Sequence, residues 1–277
     1  MLKEIDFYGG VDPVLNFTVH TKKYGEKPLV LEVKQLFHGG RSGRKAGHVK
    51  EHLEDLAKFG IPEDPYAFDP PIVFWAPTVM ATTSHKLLQY DNATCGEVEP
   101  VLLIDELDNI YVTVGSDHDD RHLECGYKMK CKLWCPMVMS KDVWLYEDVR
   151  DHWDRLILRY YAYPAGAPGA YMYPTKAERV LGMEGECGQN YGPEDFLKRV
   201  EEQARIKDRR NSVIFLGTIP WLGDLREKME YPFMFSPAYD MELEDPILKR
   251  TIRHHHEVEI VWHRVPPNIS KVKPPLI

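Results

Sequence analysis

Between Gly96 and Arg121 the chain carries two strand-like runs folded about a turn near Leu107, and no other feature limits its fold as tightly. Glu97 and Glu99 stand two residues apart, so on a strand they point to one face. Glu97 and Asp117 are equally far from Leu107, and a symmetric turn sets them opposite each other. Three carboxylates then crowd one face, which is unfavourable unless a cation neutralises them. An all-oxygen set selects a hard ion, Mg²⁺ or Mn²⁺ with Ca²⁺ also compatible, over zinc. The same spacing also suits solvent-facing acids on an edge strand followed by an acidic turn at Asp117 to Asp120, and a one-residue slip of register separates the acids.

The rest of the chain reads as strands with a few short helices. Residues 14 to 37 alternate apolar and polar (Leu15, Phe17, Val19, then Leu29, Leu31, Val33) around a turn near Lys23 to Lys27, which predicts a hairpin. Val49, Leu53, Leu56 and Phe59 recur at helical spacing before Gly60 and Pro62, predicting a helix over 46–59. Pro62, Pro65, Pro70, Pro71 and Pro77 then exclude helix to about residue 80. Residues 97 to 140 read as consecutive strands, with turns at Asp105 to Asn109 and Ser116 to Arg121. Further strands are expected near Trp153 to Tyr160, Ser212 to Leu216 and Tyr239 to Val261, and a helix over Pro193 to Arg205. The expectation is a mostly β, α+β fold: an N-terminal β extension and loop over 1–45 and a domain over 46–277.

A net charge of −8 and a pI near 5.9 argue against general affinity for nucleic acid or anionic membrane. Without a long apolar run or an apolar leader, the expected setting is cytoplasmic. Cys95, Cys125, Cys131, Cys135 and Cys187 form no CxxC pair, so they read as free buried thiols.

Several motifs, in order, resemble the fumarylacetoacetate hydrolase superfamily. Glu97-Val98-Glu99 and Thr113 to Arg121 are similar to its Glu-x-Glu and Gly-Asn-Asp-x-Ser-x-Arg segments, and Cys135-Pro136 to its Phe-Cys-Pro strand. Gln189-Asn190 with the helix after it resembles its Gly-Asn-Thr segment. Val213 to Gly223 resembles its Val-Ile-Leu-Thr-Gly-Thr-Pro run. The resemblance implies a β-roll of mixed sheets, a divalent ion on Glu97, Glu99 and Asp117, and a homodimer. Ser116 for Asn, acids at Asp119 and Asp120, and a short Glu99-to-Asp117 spacing mark a divergent branch.

The helix at 46–59 is similar to the family's lid helix, and there His52 and Asp55, three apart, form an imidazole–carboxylate pair suited to activating water. His48 and Glu51 offer a second such pair. Lys128, Lys130 and Lys132 share a face if this stretch is a strand. The resemblance makes one of them a site lysine, with Lys132 the nearest choice and Lys130 a substrate contact. It likewise assigns Arg121 and Thr218 to a substrate carboxylate, although Arg121 could also hold the acidic loop together. His254 to His256 alternate faces on a strand and cannot all bind one ion easily, which discounts a metal reading of the triple histidine.

The implied activity is metal-dependent hydrolysis of a carbon–carbon bond in a 1,3-diketone or acylpyruvate-type oxo-acid through a metal-stabilised enolate. A decarboxylase or isomerase on the same site, or a small-acid-binding scaffold without turnover, are the alternatives. A phosphoesterase built on Asp117, His118 and Asp119 lacks the usual spread of ligands.

Overall fold

The sequence symmetry about Leu107 is realised in three dimensions. In a computed structural model, which describes residues 12–22, 25–45, 69–163, 179–223 and 235–261, β7 (Thr94–Ile104) and β8 (Ile110–Asp120) pair antiparallel over their whole length, with Glu97 opposite Asp117. Asp105 closes the turn, its carboxylate accepting from the backbone N–H of Leu107 and Asn109 at 2.9 and 2.8 Å.

This hairpin is the centre of a ten-stranded mixed sheet. On one side lie β10 (Asp142–Leu145), β1 (Val14–Thr21) and β2 (Gly25–Glu32); on the other lie β13 (Ser212–Phe215), β3 (Gln35–Gly40) and β4 (Ile72–Ala76). Two short strands, β5 (Ala81–Thr82) and β9 (Met137–Met139), join the edge of β8. The expected hairpin at 14–37 forms as β1 and β2, with Leu15 opposite Leu31 and Phe17 opposite Leu29. The stretch read as an N-terminal β extension is built into the main sheet, because β1 pairs parallel with β10 and β3 pairs parallel with β13.

A second sheet of five strands, in the order β12 (Val180–Glu186), β11 (Ile157–Ala162), β14 (Ala238–Asp245), β15 (Arg250–Ile260) and β6 (Lys86–Gln89), covers one face of the first. Alternation decides which side chains meet between them. Val98, Leu102, Val112 and Val114 project from the hairpin onto Leu158, Tyr160, Tyr239, Met241 and Leu243, all fully or almost fully buried. Each such aliphatic side chain contributes about 1.5–3 kcal/mol by leaving water. The opposite face of the hairpin carries the acids. The fold is thus mostly β with short helices in mixed sheets, as expected.

One stretch departs from the strand reading. Residues 121–134 form a helix, α1 (Arg121–Trp134), and β8 runs on to Asp120 where a turn was expected. The local causes are legible afterwards. Asp120 caps the helix by accepting from the Leu123 N–H at 2.9 Å, Glu124 sits in the first turn and Lys132 in the last, and no β-branched residue occurs between them. Lys130 and Lys132 therefore do not share a face, since two helical positions differ by about 200°. Two shorter helices complete the described residues with their 3₁₀ turns: α2 (Tyr146–Val149) and α3 (Pro193–Glu202), the latter starting on Pro193 as expected.

Candidate functional site: an acidic cluster under a helix

The outer face of the β7–β8 hairpin gathers Glu97, Glu99, Asp117 and Asp119, and α1 lies across it. Carboxylate oxygens of Glu97, Asp117 and Asp119 come within 4.8 Å of one another. Asp117 and Asp119 are 1% exposed and Glu99 2%. Asp119 was read as part of a turn, yet as the residue two beyond Asp117 on a continuing strand it had to share that face.

Cations already on the chain answer part of this charge. Lys132 Nζ donates to Asp117 Oδ2 at 2.6 Å and to Asp119 Oδ2 at 2.8 Å. Arg121 donates to Glu97 at 2.8 Å, Glu124 at 2.6 Å and Asp119 at 3.2 Å. His38, on β3, faces Asp117 Oδ2 with Nδ1 at 3.1 Å and the Lys132 carbonyl with Nε2 at 2.9 Å. Which ring nitrogen carries the proton depends on the tautomer. Five carboxylates (Glu97, Glu99, Asp117, Asp119, Glu124) thus surround the two permanent cations Lys132 and Arg121 and one histidine.

The titration pattern shows how the surplus is carried without an added ion. Burial pushes Asp117 up, but Lys132 and His38 overcome it and hold the carboxyl far below the usual range. Burial, reinforced for Glu99 by the Asp117 charge, raises both Glu99 and Asp119 despite the nearby Lys132. Burial works against the Lys132 ammonium, but Asp117 and Asp119 hold it well above its ordinary value. Lys132 is therefore a fixed positive charge and no base. Arg121 is likewise fixed, with Glu124 and Glu97 overcoming its burial.

These residues fit a hard divalent cation. The donors are all oxygen, the negative charge exceeds the built-in positive charge, and Asp117 Oδ1 is a buried acceptor with no hydrogen-bond partner. Glu97, Asp117 and Asp119 would hold the ion. Glu99, expected as a ligand, stands on the same face but outside this trio. Its Oε2 accepts from the Gly217 N–H at 2.7 Å.

Gly217 owes this role to its backbone. It sits at φ +85°, and a Cβ there would lie 2.2 Å from Ser42 Oγ. Asn190 braces the same loop, donating from its amide to the carbonyls of Gly217 and Thr218 at 3.1 and 2.9 Å. Thr218 itself is engaged by the backbone, its hydroxyl donating to the Val98 carbonyl at 3.0 Å. Arg121, assigned above to a substrate carboxylate, is 1% exposed and clamps protein carboxylates instead. Lys130 is exposed on α1. His52, Asp55, His48 and Glu51 lie outside the described residues. His254 and His256 are buried facing the main sheet while His255 is exposed beside Asp240, the alternation that keeps the three from converging on one ion.

The fold has relatives among solved structures. Two crystal structures of the protein Cg1458, one of them with an inhibitor, superpose with TM-scores of 0.51 and 0.53 at 12% and 13% identity. They cover 84% and 85% of this chain and 80% and 81% of theirs. At that identity the likeness establishes the fold alone. A search of the curated proteins found no match. A family model matches residues 39–256, a span that includes the hairpin, the acids and α1, and the chain accordingly belongs to the family described as "Protein of unknown function (DUF2848)".

Proposed function

We propose that the chain is a divalent-metal-dependent enzyme that cleaves a carbon–carbon bond in a 1,3-diketone or acylpyruvate-type oxo-acid, of the fumarylacetoacetate hydrolase type. The observation that carries this reading is the trio Glu97, Asp117 and Asp119 with its buried, unpartnered Asp117 Oδ1. Mg²⁺ or Mn²⁺ held there would polarise a chelated carbonyl and offset the negative charge that grows as the bond breaks.

The chain's own residues set the rest. Lys132 is a fixed ammonium beside two of the ligands, placed to attract an anionic substrate and to keep Asp117 and Asp119 aligned. Glu99, pushed toward its protonated form by burial and the Asp117 charge, is a proton donor or reserve ligand next to the trio. Arg121 fixes the Glu97 and Asp119 rotamers from behind. His52, oriented by Asp55, is assigned the activation of water on the strength of the lid-helix resemblance. A decarboxylase or isomerase would use the same charges without that water. No described helix is long and apolar enough to cross a membrane. A cytoplasmic homodimer acting on a small oxo-acid is the setting we propose.

A second reading has its own observation. Lys132 Nζ already bridges Asp117 and Asp119 at 2.6 and 2.8 Å, the place of a cation in a site that binds small acids without turnover. A panel of acylpyruvates and oxaloacetate, assayed with Mn²⁺ and with EDTA, separates the two. Turnover that EDTA abolishes and Mn²⁺ restores supports the enzyme. Acid binding without turnover under both conditions supports the scaffold.

A further inference from the structure

The carboxylate of Asp119 has two sides. Its Oδ2 meets Lys132 and Arg121, whereas its Oδ1 faces a pair of thiols that plays no part in the reading above. Cys131 stands one turn before the end of α1 and Cys135 is the residue that caps it. Their sulfurs are 3.8 Å apart, and Cys131 Sγ is 3.5 Å from Asp119 Oδ1 and 3.2 Å from the Asp120 carbonyl oxygen. All three side chains are essentially buried: Cys131 0%, Cys135 1%, Asp119 1%. The spacing C-x₃-C lacks the signature of a zinc knuckle, and only the helix brings the sulfurs together, as residues four apart share a face.

We propose that Cys131, Cys135 and Asp119 form a second cation site, selective for a thiophilic divalent ion such as Zn²⁺ or Cd²⁺. The sulfur–sulfur distance and the distance from the Cys131 sulfur to the Asp119 oxygen match tetrahedral coordination. Zn–S bonds of about 2.3 Å and a Zn–O bond of about 2.0–2.2 Å give edges of about 3.8 Å between sulfurs and about 3.5–3.6 Å from sulfur to oxygen. The Asp120 carbonyl offers a fourth donor. The Asp120 N–H donates to Cys135 Sγ at 3.2 Å. Binding releases the two thiol protons to solvent and leaves a dithiolate–carboxylate site with no change of oxidation state. Sulfur ligands separate this site in chemistry from the all-oxygen trio, and Asp119, through its two oxygens, belongs to both. The proposal stands whether or not the trio binds Mg²⁺ or Mn²⁺.

The test is a titration of the reduced, chelator-treated full chain with Cd²⁺ under anaerobic conditions, following the sulfur-to-cadmium absorption band. The band should saturate at one Cd²⁺ per chain. Cys131→Ser or Cys135→Ser should each remove most of its intensity, and Asp119→Asn should keep the band while weakening affinity at least about tenfold. Glu97→Gln, Cys95→Ser, Cys125→Ser and Cys187→Ser should leave it unchanged. A folded wild type without the band, or a band that survives Cys131→Ser or departs with Cys95→Ser, overturns the proposal. Should the cysteine variants fail to fold, Co²⁺ added to the wild type decides: intense visible bands of tetrahedral coordination with sulfur charge transfer support the site, and the weak spectrum of octahedral oxygen coordination overturns it.

Discussion

Lys132 and Glu99 divide the electrostatics of the acidic face between them. Lys132 neutralises Asp117 and Asp119 at hydrogen-bond distance inside the fold, so Lys132→Met strands two buried carboxylates. Breaking such a pair costs about 3–5 kcal/mol. That loss should appear in urea melts of the metal-free protein, and millimolar Mn²⁺ should restore much of it by supplying the missing charge. Glu99→Gln should behave differently. Because burial and the Asp117 charge already press Glu99 toward its neutral form, the metal-free stability should change by less than about 1 kcal/mol. At this scale the sequence disclosed much of the site and missed some of it. The pairing of Glu97 with Asp117 follows from counting to Leu107. The share of Asp119 needed the extra two residues of β8, and nothing local distinguishes His38 or Gly217, which arrive from strands and loops remote in sequence.

The β7–β8 hairpin is the element on which both faces depend, and its close fit to the second sheet is testable at Gly96. A Cβ there would fall 1.9 Å from the Tyr160 hydroxyl and 2.9 Å from Ser116 Oγ, two groups that hydrogen-bond each other at 2.8 Å. Gly96→Ala should destabilise the chain by about 1–3 kcal/mol through overpacking alone, read as a fall in the denaturation midpoint. The matching double variant Gly96→Ala, Tyr160→Phe should recover part of that loss. Alternation made the hairpin at 14–32 legible through the one-sided burial of β1, whereas the hairpin at 94–120, buried on both faces, was legible from the turn at Leu107. Alternation failed over 121–134. Alternating lysines and apolar residues at 128–133 imitate a strand, whereas the Asp120 cap and the lack of β-branched residues were the better guides.

Across the whole molecule, the two sheets trap histidines in their neutral form. His118 and His256 meet Nε2 to Nε2 at 2.8 Å between the sheets, and His254 stacks beside His256. Burial, with the nearby His85, pulls His254 down to about 4 from 6.5. The unfolded chain therefore binds a proton at this position between those values and the folded chain does not, so stability is complete above the upper value and is lost as the pH falls toward the lower. Between about pH 7.5 and about pH 5.5 this histidine should account for about 1 kcal/mol, and His254→Gln should flatten the urea-midpoint profile by that amount. The layered architecture was foreseeable from strand content, while the enclosure of these histidines depends on how the second sheet lies over the first. The central claim, that the trio gathers one hard cation, is tested most directly by calorimetric titration of Mn²⁺ into the chelator-treated wild type and into the Glu97→Gln and Asp117→Asn variants. One ion per chain in the wild type, weakened at least about tenfold in each variant, is the predicted result. Equal affinity in all three proteins, or no binding by a folded wild type, would contradict it.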